Sequence, residues 1–168
     1  MIIREANGSD VENIAKLYIS NWKTTYKGIL SDAYLNHLTV SYGMEKWSAF
    51  LVRPEHHVFV AYEGLTFLGF GAYHPDMDFD KCLYLASLHV SSNARGQGVG
   101  TKLIQSIGKY AIDKNFNKMS ICIIKGNHDA RRLYCKLGAL HHLDFIDYFD
   151  GIKLNSEKLL WNDLKCFQ

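Results

Sequence analysis

The residues best suited to chemistry are Arg95-Gly96-Gln97-Gly98-Val99-Gly100-Thr101. Glycines at alternate positions leave backbone N–H groups bare. Val99, Leu103, Ile107 and Ala111, with Ile104 beside them, fall at helical spacing and predict a helix opening from the loop. The first turn of such a helix directs its own unpaired N–H groups and the positive end of its dipole at the same spot. That combination binds phosphate. Spacing excludes two familiar phosphate loops. A Walker loop requires Gly-Lys-Ser/Thr after an earlier glycine, but Gly100 is followed by Thr101-Lys102 and Arg95 stands where that glycine belongs. A dinucleotide fingerprint is G-x-G-x-x-G in the first βαβ unit, whereas these glycines run G-x-G-x-G in mid-chain.

The loop needs a strand before it and a strand after its helix. Cys82 to Val90 reads as a buried strand, and Lys118 to Ile124, with Met119, Ile121, Cys122, Ile123 and Ile124 apolar and little alternation, as another. Ahead of them, Ile2 to Glu5 predicts a first strand. Ser9 or Asp10 then caps a helix with Val11, Ile14, Ala15, Tyr18 and Trp22 on one face. Ser31-Asp32 starts a second helix, and Tyr42, Trp47 and Phe50 lie on a third. His57 to Tyr62 and Thr66 to Tyr73 form a hairpin around Glu63-Gly64. Pro75 to Asp80, with Asp76, Asp78 and Asp80, reads as a solvated turn or as an acidic rim for a cationic substrate. After the second central strand, Asn127 caps a helix that buries Ala130, Leu133, Tyr134 and Leu137 on one face, and Gly138 ends it. Leu143 to Phe149 and Ile152 to Leu160 form a closing hairpin around Asp150-Gly151.

Composition limits the function classes. A chain of 168 residues, 48% hydrophobic and 21% charged with 2 prolines, is expected to fold as a single domain over 1–168. No stretch approaches the ~18 apolar residues of a membrane span and the start lacks a signal-peptide order, so no membrane partner and a cytoplasmic location are expected. The net charge is +2 and the basic residues are scattered, which leaves no stripe for nucleic acid. The four cysteines show no C-x-x-C spacing, and the pairs His56-His57 and His141-His142 point to opposite strand faces, so no metal is expected.

Four segments carry a resemblance to the GCN5-related N-acetyltransferases. Arg95-Gly96-Gln97-Gly98-Val99-Gly100 matches that family's Gln/Arg-x-x-Gly-x-Gly/Ala loop. Asn127-His128-Asp129-Ala130-Arg131-Arg132-Leu133-Tyr134-Cys135-Lys136-Leu137-Gly138-Ala139 is similar to its N-x-x-A-x-x-x-Y-x-x-x-G-F segment, with Ala139 where Phe is usual. Trp161-Asn162-Asp163-Leu164 resembles its W-x-D-L close and Trp22-x-x-x-Tyr26-x-Gly28 its early segment, so the resemblance spans nearly the whole chain. It implies an α/β fold with a mixed, strongly twisted sheet of about seven strands flanked by helices, its two central strands splaying into a V.

The resemblance also implies a cosubstrate and a reaction. The pantetheine arm of acetyl-CoA would pair with the backbone of Leu88, His89 and Val90 as an added strand. Arg95, Gly96, Gln97, Gly98, Val99, Gly100 and Thr101 would bind the pyrophosphate, and Asn127 would bond to the arm or orient water near it. A primary amine would attack the thioester directly in a ternary complex. Tyr134 suits protonation of the departing thiolate, because a phenol's ordinary pKa of about 10 lies close to that of an alkyl thiol. Many members of the family carry Glu where this chain has Tyr84, a poor base at neutral pH. A water relay through Tyr84, or an acid such as Asp80 or Asp147, is the expected route for the amine's proton. Trp22 and Tyr26 are the substrate-binding candidates, and with Asp76, Asp78, Asp80, Asp144 and Asp147 they favour a small cationic amine, a peptide amine remaining open. By analogy the exposed tail strand pairs two subunits as a homodimer. The rival reading is a non-catalytic acyl-CoA-binding module of the same fold.

Overall fold

A computed structural model describes residues 1–149 and 151–168. In chain order the elements are β1 (Ile2–Glu5), α1 (Val11–Thr25), α2 (Asp32–His37), α3 (Val40–Leu51), β2 (His57–Glu63), β3 (Thr66–Pro75), β4 (Cys82–Val90), α4 (Val99–Asp113), β5 (Lys118–Ile124), α5 (His128–Lys136), β6 (Leu140–Phe149) and β7 (Ile152–Trp161). The strands form one mixed sheet of seven, ordered β1-β2-β3-β4-β5-β7-β6, flanked by helices. This is the α/β class expected from the sequence. Among the described residues no helix is long and apolar enough to cross a membrane. The chain divides into two compact units, Met1–Ala72 with Ser87–Leu103, and Tyr73–Ala86 with Ile104–Gln168.

In the first unit β1 runs antiparallel to β2, from Ile2 opposite Tyr62 to Glu5 opposite Phe59. Helices α1 and α3 approach closely because Gly43 has no side chain: a Cβ there would stand 3.0 Å from that of Ala15. Trp47 of α3 is buried edge-on against Tyr18 and Phe70, with ring centroids 5.5 and 4.9 Å apart. Full burial of one such side chain stabilises by about 1.5–3 kcal/mol. The expected cap of α1 is corrected. Asn7 caps a 3-10 turn at Gly8–Asp10, whereas the Asp10 side chain makes no cap bond to the helix. The Asp10 carboxylate is buried and takes two bonds from Arg4, at 2.8 and 2.9 Å, and one from the Tyr62 hydroxyl at 2.8 Å. A buried carboxylate is stable only when paired, and Asp10 meets that requirement with Arg4, the Tyr62 hydroxyl and the Asn7 N–H at 2.9 Å rather than with an N–H of α1.

In the second unit β4 pairs in parallel with β5 through Cys82–Tyr84 against Lys118–Ser120, a ladder of three residue pairs. β5 is antiparallel to β7, and β7 to β6 with a register shift between His141 and Leu143. Leu83, Leu85, Ile104, Ile107, Met119, Leu159 and Trp161 are fully buried. Gly108 of α4 lets the Phe167 ring lie against the helix backbone, where a Cβ would meet Cγ at 2.3 Å. Asn127 caps α5 by accepting from the Ala130 N–H, and Gly138 ends it at φ +96°. Of the face expected to be buried on α5, Tyr134 is buried, whereas Ala130, Leu133 and Leu137 are half-buried. The turn expected at Asp150-Gly151 falls partly on Asp150, outside the described residues.

The join of β3 to β4 is irregular. Ser91 N–H donates to Leu68 O and Asp76 N–H to Cys82 O. Between these two bonds β4 has one more residue than β3, so β4 carries a bulge.

Candidate active site

The first unit holds the phosphate loop. The 3-10 turn Ser92–Ala94 leads out of β4 into Gly96 at φ +75° and Gly98 at φ +80°, values that favour glycine, and a Cβ at either position would meet nothing within 4 Å. The last three residues, Val99, Gly100 and Thr101, form the first turn of α4, whose N–H groups have no partner within the helix. Val99 and Leu103 anchor this turn in a buried cluster with Ala61 and Ala94, onto which Leu88 and Val90 pack. The Gln97 side chain folds back to donate to Asn93 O at 2.8 Å. Alternation from the Ser91–Leu68 bond turns the His89 backbone toward β3 and those of Leu88 and Val90 to the other edge.

Asn21 of α1 ties these parts together, although nothing in the sequence marked it. It is buried; its Nδ2 donates to Val90 O at 3.1 Å and its Oδ1 accepts from Arg95 Nη2 at 3.1 Å. The His89 ring lies among Tyr18, Phe70 and Asn21. Burial and the Arg95 charge push its pKa down to about 3. The ring is thereby held neutral. Trp22 and Tyr26 are half-buried with ring centroids 4.6 Å apart, and Trp22 also touches Tyr18.

Tyr84, Asn127 and Tyr134 belong to the second unit. Tyr134 is 3% exposed and sits edge-on to Trp161, whose indole N–H donates to Leu137 O at 2.9 Å. Burial pushes the Tyr84 hydroxyl above its ordinary range, and its bond with the Cys122 thiol and the nearby Asp76 and Asp147 charges add to this. Its ring packs against that of His74 at 5.2 Å.

The acidic loop is corrected in part: Asp76 is not in a solvated turn. Its side chain, 3% exposed, takes bonds from Ser120 Oγ and from Lys158 Nζ, which is itself 7% exposed. Burial raises the Asp76 pKa, yet the bonds from Ser120, the Asp78 N–H and Lys158 outweigh it and hold the carboxyl below its usual range. Lys158 also pairs with Asp78 at 2.7 Å, and Lys125 with Asp144 at 2.6 Å. Three of the five carboxylates that suggested a cationic acceptor therefore already have cations. Asp147 accepts from the Tyr148 N–H.

A polar cavity of about 480 Å³ lies beside α5, lined in part by Lys125, Asn127, Arg131, His141, Asp144 and Glu157. His141, Asp144 and Glu157 offer metal-ligand atoms within 4.8 Å of one another. Each carboxylate there is already paired, Glu157 with Arg131 at 2.6 Å and Asp144 with Lys125.

Comparison with known proteins extends the geometry. The pattern of the Acetyltransferase (GNAT) family matches residues 17–139. An uncharacterized N-acetyltransferase, YuaI, of Bacillus subtilis is 30% identical over 131 residues, 74% of this chain and 72% of the relative. A thialysine N-epsilon-acetyltransferase of Bos taurus is 30% identical over 149 residues, 83% of this chain and 84% of that one. The crystal structure of PaiA N-acetyltransferase from Thermoplasma acidophilum, in complex with coenzyme A, shares the fold with TM-score 0.74 at 21% identity, covering 93% of this chain and 96% of that one.

Proposed function

Because the chain belongs to the acetyltransferase (GNAT) family and is an acyltransferase, we propose that it carries the acetyl group of acetyl-CoA to a primary amine by direct attack. The observation that carries this reading is the loop at Gly96 and Gly98. Two positive-φ glycines with open space beside them run into the first turn of a 15-residue helix. Such a loop takes a pyrophosphate on backbone N–H groups from Arg95 to Thr101. The pantetheine arm runs along the edge of β4 that bears the N–H and C=O of Leu88 and Val90, and Asn127 bonds to it. Residues 1–168 act as one functional domain, since β3, β4 and α4 each contribute to both compact units.

Three steps follow. The acceptor ammonium loses a proton, its nitrogen attacks the thioester carbon, and Tyr134 protonates the sulfur that leaves. A backbone N–H freed by the β4 bulge suits the oxyanion that forms between attack and departure. Tyr84, protonated at neutral pH, serves as a neutral link in the proton's path rather than as its base. Trp22 and Tyr26 offer aromatic faces to a cationic acceptor. A relative 30% identical is a thialysine N-epsilon-acetyltransferase, and that substrate favours a small amine with a second charged group over a peptide. Homodimer formation through the edge strand β6, which exposes Leu140, Ile146 and Tyr148, and a cytoplasmic location belong to the same reading.

The test is thiol release from acetyl-CoA with thialysine, L-lysine, spermidine and an alanine-terminated peptide, alongside acetyl-CoA binding by calorimetry. Amine-dependent release is expected. The phenol at the Tyr84 position favours a second reading, a silent acyl-CoA-binding module; tight binding with no release from any amine would establish that one.

A further inference from the structure

We infer that the His74 imidazole takes the proton that the acceptor ammonium must lose, an assignment that rests on the amine-transfer reading above. The sequence offers no carboxylate at Tyr84, and the structure supplies a different group there. Asp76 N–H donates to Cys82 O, so two residues along each strand His74 of β3 stands directly across from Tyr84 of β4. Directly opposed residues on antiparallel strands share a face, and the two rings meet at 5.2 Å with an interplanar angle of 56°. His74 thus borders the position at which members of this family often carry an acid.

The tautomer suits the task. His74 Nδ1 lies 2.8 Å from Pro75 O. A carbonyl oxygen only accepts, so Nδ1 carries the proton and Nε2 the lone pair of the neutral ring. The carbonyl fixes the ring as well as the tautomer, as a base needs.

Three of the other titratable and charged groups around Tyr84 do not fit. The Cys122 thiol is pushed above its ordinary range by burial. Asp76 is committed to Ser120 and Lys158, and a carboxyl held low is a weak acceptor. Lys158, whose Nζ lies 5.9 Å from the centre of the Tyr84 ring, is paired with Asp76 and Asp78 and held protonated. The Asp147 charge acts on the Tyr84 hydroxyl from β6. An imidazole, with an ordinary pKa of about 6.5, is suited to accept a proton at neutral pH and return it to water.

The step balances. One ammonium proton passes to His74 Nε2, directly or through one water. The freed nitrogen lone pair forms the N–C bond. The C–S bond breaks with its electron pair going to sulfur, which takes the Tyr134 proton. The second proton lost by the adduct nitrogen restores the Tyr134 hydroxyl, and His74 releases its proton to solvent. One proton is released per turnover.

The experiment follows kcat against pH for wild type, His74→Gln and His74→Ala, using the panel amine with the highest turnover, with acetyl-CoA affinity measured on each. Wild type should lose rate in acid as the imidazole protonates. Both variants should fall about a hundredfold or more in kcat, lose the acid limb and keep the wild-type Kd for acetyl-CoA. Added imidazole should restore His74→Ala in proportion to its free-base concentration. Variants that keep the wild-type rate, or that lose rate yet keep the acid limb, would overturn the assignment. Absence of thiol release from wild type with every amine would instead overturn the transfer reading beneath it.

Discussion

Replacement of Lys158 by Met tests the most heavily committed charge in the second unit. Lys158 and Asp76 are 7% and 3% exposed, their N···O distance is 3.0 Å, and Ser120 and the Asp78 N–H occupy the remaining carboxylate positions. Met fills much of the lysine's volume, so the loss is chiefly that of charge. A buried carboxylate left without its cation costs about 3–5 kcal/mol. The double variant Asp76→Asn with Lys158→Met removes the orphan charge and should recover most of that, which makes the coupling between the two sites at least about 2 kcal/mol. The pH dependence has a definite sign. The folded pKa of Asp76 lies below its unfolded value, so the ion pair's contribution is complete above the unfolded value near 4 and is lost as pH falls through the folded one. Urea unfolding at pH 7 and at steps down to pH 3, on wild type, both single variants and the double, measures all of this. A Lys158→Met variant within 1 kcal/mol of wild type at pH 7, or a gap that widens in acid, would refute the reasoning.

Three further outcomes follow from the same geometry. Tyr134→Phe should lower kcat about a hundredfold or more while acetyl-CoA affinity by calorimetry stays unchanged; unchanged kcat would remove Tyr134 from the proton transfer. At φ +80°, Gly98→Ala introduces left-handed strain of about 1–2 kcal/mol, so acetyl-CoA affinity should fall at least tenfold in the same titration, and an unchanged Kd would argue against a pyrophosphate on this loop. Because a Cβ at Gly108 would stand 2.3 Å from the Phe167 ring, Gly108→Ala should cost about 1–3 kcal/mol by urea unfolding despite alanine's better helix propensity. Truncation of that ring as well, with Phe167→Ala, should cancel the steric part.

What the sequence determined by itself was what short-range physics decides. The apolar stripe of α4 recurs within single turns, the Asn127 cap and the Gly138 stop act within four residues, and Gly96 and Gly98 of the phosphate loop are required by their own φ values. Each of these is written in neighbouring residues, and each could be placed before any strand was paired with another. The family resemblance used the same local segments. Tertiary structure alone decided where charges and lone pairs meet. Asp10, Asp76 and Glu157 look like surface acids in the sequence, yet each is buried against a cation: Asp10 against Arg4, nearby in the chain, and Asp76 and Glu157 against Lys158 and Arg131, which only the fold brings near. Asn21 carries no local signal, since its three partners, His89, Val90 and Arg95, come from beyond the two helices α2 and α3 and the two strands β2 and β3. His74 reaches Tyr84 only through the register of β3 on β4, and a slip of one residue would send the two rings to opposite faces. Register is set by closure of the whole sheet, whereas a cap or a turn is set by the residues within it.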